Sequence, residues 1–176
     1  MSKSIDHIEK TISSSVFIRS EAKSVWENIT NVQIEQFSDP WYFKLMNIPK
    51  PLKAEITKKG VGGRRTAFFN NGKKFIQTIN SWEELKEYSF SFNPDKNFVV
   101  GYFFDLSDGV FKILTGSYYL TDSHKGLHLE LQTTYSISKQ TNWILSWPIR
   151  TVLNIFQEYL LRSIKRNSEL RSIETN

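Results

Sequence analysis

The segment from Asn142 to about Ile173 constrains the fold more than any other stretch of the chain. On a helix of about 3.6 residues per turn, Ile149, Val152, Phe156, Leu160 and Ile164 fall on one stripe, which Leu145, Leu153 and Tyr159 widen. Arg150, Asn154, Glu158, Arg162, Lys165 and Glu169 occupy the other side. A stripe this broad needs a large apolar surface to lie on. Ser146 can cap, and Pro148 suits a first turn better than a helix interior. The main helix is therefore expected from roughly Trp147 to Ser172, after a short turn around Asn142 to Leu145.

Most of the chain from Ser13 to Ser138 alternates in the manner of strands, which supplies that surface as a curved antiparallel sheet. Residues 1–12 read as an N-terminal arm, with Ile5, Ile8 and Ile12 at helical spacing, and residues 13–173 as one domain. Ser13 to Ser20 is the first strand. Ser20 reads as the N-cap of a helix from Glu21 to Ile29, whose Ala22, Val25, Trp26 and Ile29 make an apolar face, and Trp26 is read as core.

A second short helix or pair of turns is expected over Ile34 to Met46, broken at Asp39-Pro40. Its Phe37, Trp41, Phe43 and Leu45 either cover one end of the core or line a cavity entrance. A meander follows: Leu52 to Lys58, Arg64 to Phe69, Lys73 to Trp82 and Leu85 to Phe92, with Asn70-Asn71-Gly72 as a hairpin turn. In the third of these, Phe75, Gln77 and Ile79 share one face and Ile76, Thr78 and Trp82 the other. The stretch Phe98 to Phe104 is either an additional strand or a flap over the open side of the sheet. Val110 to Thr121 and Leu127 to Ser138 are the clearest strands, the second with Leu127, Leu129, Leu131, Thr133, Tyr135 and Ile137 inward and His128 and Glu130 toward solvent.

Composition narrows the chemistry. The chain lacks Cys, which removes disulfides, thiolate nucleophiles and the usual structural zinc sites. It has no HExxH segment, and Gly60, Gly62 and Gly63 lack the Lys-Ser or Lys-Thr of a phosphate loop. No cofactor and no metal are expected. The net charge of +5 is spread without a long basic run, so nucleic acid is not expected as a partner. The polar start of the sequence does not read as a signal peptide, and a cytoplasmic location is expected.

Several stretches, in this order, resemble the START and Bet v 1-like superfamily, in particular its bacterial polyketide cyclase/dehydrase and lipid-transport group. They are Ser-Glu-Ala-Lys-Ser-Val-Trp-Glu-Asn-Ile over residues 20–29, Ile-Asn-Ser-Trp over 79–82, Gly-Ser-Tyr-Tyr-Leu over 116–120 and Leu129 to Tyr135. Trp143 then leads into a helix ending Leu-Arg-Ser-Ile-Lys-Arg over 161–166. The resemblance covers about residues 13 to 170. It implies an α+β helix-grip fold: a sheet of about seven strands gripping a long C-terminal helix, with two short helices after the first strand. It also implies a hydrophobic cavity between sheet and helix, used by different members for lipids, sterols, polyketides or plant hormones.

A binder of a small hydrophobic ligand needs apolar and aromatic walls with a few orienting polar groups. Tyr88, Phe90, Phe92, Tyr118 and Tyr135 from strands, Phe156 and Tyr159 from the helix, and Tyr102 and Phe104 from the flap are the candidates for that wall. An enzyme on the same scaffold, of cyclase, dehydratase or hydrolase type, would need an inward polar group with a tuned pKa. Arg65, Gln77, Glu87 and Tyr135 are the nearest candidates, each otherwise a structural or surface residue, and catalysis is the less expected outcome. A third reading, peripheral contact with an anionic membrane surface, rests on Arg150, Arg162, Lys165, Arg166 and Arg171.

Overall fold

A computed structural model describes residues 6–31, 40–100, 104–106 and 109–174; the side chains of Phe104 and of residues 171–174 lie outside the description. Among these residues, nine strands and three helices follow in the order β1 (His7–Ile18), α1 (Ala22–Thr30), α2 (Trp41–Leu45), β2 (Pro51–Ile56), β3 (Arg64–Phe69), β4 (Lys74–Glu83), β5 (Glu87–Pro94), β6 (Val99–Val100), β7 (Phe104–Asp105), β8 (Phe111–Ser123), β9 (Gly126–Ser138) and α3 (Asn142–Glu174). Seven of the strands form one antiparallel sheet in the order β1-β9-β8-β5-β4-β3-β2, and α3 packs along it, chiefly against β1 and β9. β6 and β7 pair only with each other.

The first strand starts at His7, six residues before the expected Ser13. Its inward row is Ile8, Lys10, Ile12, Ser14, Val16 and Ile18, so two polar residues interrupt the apolar alternation. Both meet polar groups of α3: Lys10 Nζ donates to Ser146 Oγ at 2.8 Å, and Ser14 Oγ donates to Gln157 Oε1 at 2.8 Å. Pairing with β9, from His7 opposite Ser138 to Ile18 opposite Leu127, holds the strand over its whole length.

Ser20 does not cap α1. Its hydroxyl instead donates to the Ser168 carbonyl of α3 at 3.0 Å, and Glu21 occupies the N-cap position without a side-chain bond. Of the expected helix over 34–46, residues 41–45 form α2, and 32–39 lie outside the described residues. The terminal helix begins at Asn142 rather than Trp147, so Pro148 stands inside its second turn and leaves the Ile144 carbonyl without an intrahelical donor.

β9 alternates as expected as far as Tyr135, with Leu127, Leu129, Leu131, Thr133 and Tyr135 buried and His128 exposed; beyond it Ser136 and Ser138 are buried along with Ile137. In β4 the alternation breaks. Phe75, Gln77 and Ile79 point inward, but a register shift between Ile79 and Ser81 brings Trp82 opposite Tyr88 on the same face. Trp82 then packs edge-on against Trp26 at 5.3 Å and Tyr88 at 5.4 Å, so it belongs to the core and not to the outer face assigned from simple alternation.

Three apolar clusters fill the space under α3. Trp26, Ile29 and Val25 of α1 meet Leu161 and Ile164 at its C-terminal half. Ile149 and Leu153 meet Phe69, Phe75, Phe98 and Phe111 at its N-terminal half. Phe43 of α2 meets Tyr159 from the side, with ring centroids 4.8 Å apart.

Candidate functional site

Between these clusters the concave face of the sheet and α3 leave two adjoining voids. The larger, about 80 Å³, has walls from β2, β3, β4, β5, β8, β9 and α3, including Arg65, Gln77, Phe90, Phe92, Tyr118 and Gln157. The smaller, about 50 Å³, is closed by Phe98, Val100 and Leu106 around the β6–β7 ribbon, by Ile48 and Pro49, and by Ile149 and Val152 of α3. Phe69, Phe75, Ile113, Leu153 and Phe156 belong to both walls. The two lobes thus meet at a waist formed by these shared side chains, one lobe almost purely hydrocarbon and the other also carrying polar groups.

The polar lobe follows from strand register. Arg65 of β3 and Gln77 of β4 are directly opposite each other, so both side chains rise from the concave face side by side, and each is only 4% exposed. Arg65 Nη2 donates to the Ile29 carbonyl at 3.0 Å. That carbonyl lies in the last turn of α1, where backbone acceptors lack intrahelical donors and the helix dipole favours a cation. The rings of Tyr88 and Phe90 lie 5.6 and 5.7 Å from the guanidinium carbon. Arg65 Nε and Gln77 Oε1 are buried and have no hydrogen-bond partner among the described residues.

Burial pushes the Tyr118 phenol up to about 12, with the Arg65 charge opposing the rise, and it raises Tyr88 in the same way. Both are neutral phenols at neutral pH. Gln157, by contrast, is fully engaged: Nε2 donates to Thr133 Oγ1 at 2.8 Å and to the Ile12 carbonyl at 3.4 Å, while Oε1 accepts from Ser14. It pins α3 to β1 and β9 and closes one side of the lobe.

Close approach of rings to the sheet depends on Gly116. A Cβ there would stand 2.9 Å from the Phe90 ring and 3.2 Å from that of Phe92, so the absence of a side chain on β8 lets both rings lie down on the wall.

Of the aromatic candidates, Phe90, Phe92, Tyr118 and Phe156 line the cavity. Tyr88 is fully buried behind it, under Arg65 and against Trp26 and Trp82. Tyr135 is core against Phe111 and borders an outer groove beside Ser146 and Arg150; burial raises its pKa, and Arg150 and Ser146 oppose that. Tyr159 packs on Phe43 away from both lobes. Tyr102 and the Phe104 side chain lie outside the described residues. Of the polar candidates, Arg65 and Gln77 face the cavity, whereas Glu87 sits half-buried at the start of β5 opposite Glu83 and Tyr119. Lys53, Thr133 and Gln157 are polar wall residues that the sequence pattern does not single out, and Gln157 is the most deeply engaged of them. It lies one position from Phe156, inside the helix stripe, where an amide breaks an apolar row.

No protein-family model and no curated protein matches the chain. Solved structures do. Norcoclaurine synthase from Thalictrum flavum, in complex with dopamine and hydroxybenzaldehyde, is similar with a TM-score of 0.54 at 15% identity, over 91% of this chain and 86% of that one. Ara h 8.0201 is similar with a TM-score of 0.56 at 12% identity, over 89% and 95%. A protein from Nitrosospira multiformis gives 0.55 at 18% identity, over 93% and 99%. The chain has the helix-grip fold. The likeness defines the scaffold alone, and the cavity must supply the chemistry.

Proposed function

We propose that this helix-grip protein binds or carries a small hydrophobic molecule of lipid-like or aromatic character beneath α3, in the manner of the polyketide cyclase/dehydrase and lipid-transport group. The observation that carries the proposal is the two-lobed cavity, hydrocarbon at one end and furnished with Arg65 and Gln77 at the other. Such a site orients an amphiphile by its polar end and gains affinity from its apolar body. The norcoclaurine synthase complex, in which a chain of this fold accompanies two aromatic compounds, supports a ligand of that shape. Binding rather than turnover is the better reading: the wall offers rings, alkyl groups, amides, hydroxyls, a guanidinium and Lys53, whose ammonium pairs with Glu55, and the Tyr118 phenol at about 12 is too weak an acid to act as a base near neutrality.

At about 80 and 50 Å³ the lobes fall below the roughly 300 Å³ at which drug-sized pockets begin, so entry of a larger ligand requires a wall to move. The β6–β7 ribbon is the shortest strand pair in the wall, with two residues per strand, and it is separate from the main sheet. Solvent extraction of purified protein followed by mass spectrometry tests the reading. A reproducible apolar compound at near-stoichiometric amount is expected; an empty extract, together with no thermal shift from a panel of aromatic and aliphatic compounds, refutes it.

A second reading, that the carrier loads at an anionic membrane surface, is favoured by one tip of the molecule. Trp41 and Leu45 of α2 are 75% and 63% exposed. Between them in sequence, Lys44 lines an open groove that also carries Lys50 and Lys73 and shares Ile48 and Pro49 with the apolar lobe. Exposed Trp beside Lys suits the interface of an anionic bilayer. The basic residues of α3 give less support, since Arg162 and Lys165 pair with Glu158 and Glu169, and no helix of the described residues is long and apolar enough to cross a membrane. Flotation with phosphatidylglycerol vesicles should carry the protein, and the W41A/L45A double variant should float less; equal flotation of both would exclude this tip.

A further inference from the structure

We infer that the molecule held in the cavity carries an anionic oxygen, a carboxylate being its simplest form, and that Arg65 pairs with it while Gln77 supplies the adjoining hydrogen bond. The inference rests on the carrier reading above and names the ligand's head group.

Three features point the same way. Arg65 is a permanent cation at 4% exposure, and among the described residues no carboxylate lies within ion-pair distance of it. A buried charge is strongly disfavoured unless paired and hydrogen-bonded, and here the protein offers one backbone carbonyl, the neighbouring neutral phenol of Tyr88 and two ring faces, with no anion beside it among the described residues. Second, among the described residues Arg65 Nε is an unused donor, and the opposite residue, Gln77, holds an unused acceptor in Oε1. An oxyacid with a neighbouring hydroxyl would satisfy both, and the Gln77 amide can turn to offer its nitrogen to a simple carboxylate. Third, Ile48 and Pro49 of the apolar lobe also border an outer groove with Lys44, Lys50 and Lys73, a positive field that draws anions to this side of the molecule. The ligand's apolar body then extends from Arg65 past the waist at Phe156 and Leu153 toward Ile149 and Phe111.

Two probes of nearly equal shape decide the matter: 2-naphthoate and 2-naphthylmethanol, titrated into the full-length protein at pH 7 by calorimetry. The acid is expected to bind at least tenfold tighter than the alcohol, and Arg65→Met is expected to weaken the acid tenfold or more, bringing the ratio toward one. Should that variant fail to fold, ¹³C-carboxyl naphthoate bound to the unaltered protein gives the same answer by NMR: its carboxyl should stay ionised to lower pH than the free acid. Alcohol binding equal to or tighter than the acid, or a bound carboxyl that takes up its proton at higher pH than the free one, overturns the head-group assignment while leaving an apolar carrier intact. If neither probe binds and extraction yields no ligand, the carrier reading itself fails, and the assignment with it.

Discussion

Phe156→Ala tests the cavity directly, because this one ring contributes to both lobes and forms their waist. In a core packed on every side, Phe to Ala costs about 3–5 kcal/mol, part of it the transfer of the ring and part the void left behind. Phe156 already faces empty space on two fronts and so forfeits dispersion contacts that a fully packed ring would have. The expected loss is therefore about 2–3 kcal/mol. With a urea dependence of about 2 kcal/mol per molar, that lowers the unfolding midpoint by roughly 1–1.5 M. The variant also merges the two lobes, so 2-naphthoate should bind it more tightly, and ligand at a hundred times its dissociation constant should restore about 2.7 kcal/mol. Urea titrations followed by tryptophan fluorescence, with and without ligand, measure both effects. A loss above about 4 kcal/mol with no gain in affinity would mean that the ring is packed on all sides and that the waist is solid core, which would remove the physical basis for a two-lobed site.

Three other outcomes follow from the geometry. Gly116→Ala pushes the Phe90 and Phe92 rings off the wall into the cavity, so naphthoate affinity should fall about tenfold while stability drops by about 1–2 kcal/mol, read by calorimetry and urea unfolding; unchanged affinity would show that the rings do not border the ligand. Gln157→Leu strands Ser14 and Thr133 and should cost about 2–3 kcal/mol, with faster amide exchange along β1; undisturbed β1 exchange would contradict its role as a pin. The Tyr118 phenol is raised in the folded state to about 12. Its contribution is complete below the unfolded value of about 10 and is lost as pH rises through 12, by roughly 2–3 kcal/mol in all. Tyr118→Phe should flatten that alkaline decline in a series of urea titrations, and an unaltered decline would assign it to other groups.

The sequence by itself determined the elements whose signal is local. The apolar stripe of α3, the alternation of β9 and the Asn71-Gly72 turn each lie within a few residues of their cause, and together with the order of elements they specify the helix-grip scaffold. It also put Phe90, Phe92, Tyr118 and Phe156 on the right faces, since in those segments side-chain period alone decides orientation.

Where orientation depends on a partner far along the chain, only the tertiary structure decided it. The first half of β1, residues 7–12, reads as an arm because Lys10 interrupts its inward row, and the compensation comes from Ser146, 136 residues away. Trp82 is placed by a shift of register between β4 and β5 that alternation cannot contain. The site itself depends most on such pairing. Arg65 and Gln77 are ordinary polar residues in two successive strands until the β3–β4 register sets them opposite each other, and α3 and the Ile29 carbonyl close over them. A cation becomes a binding group only when its surroundings are dry and no carboxylate stands beside it, and among the described residues both conditions are properties of the assembled cavity.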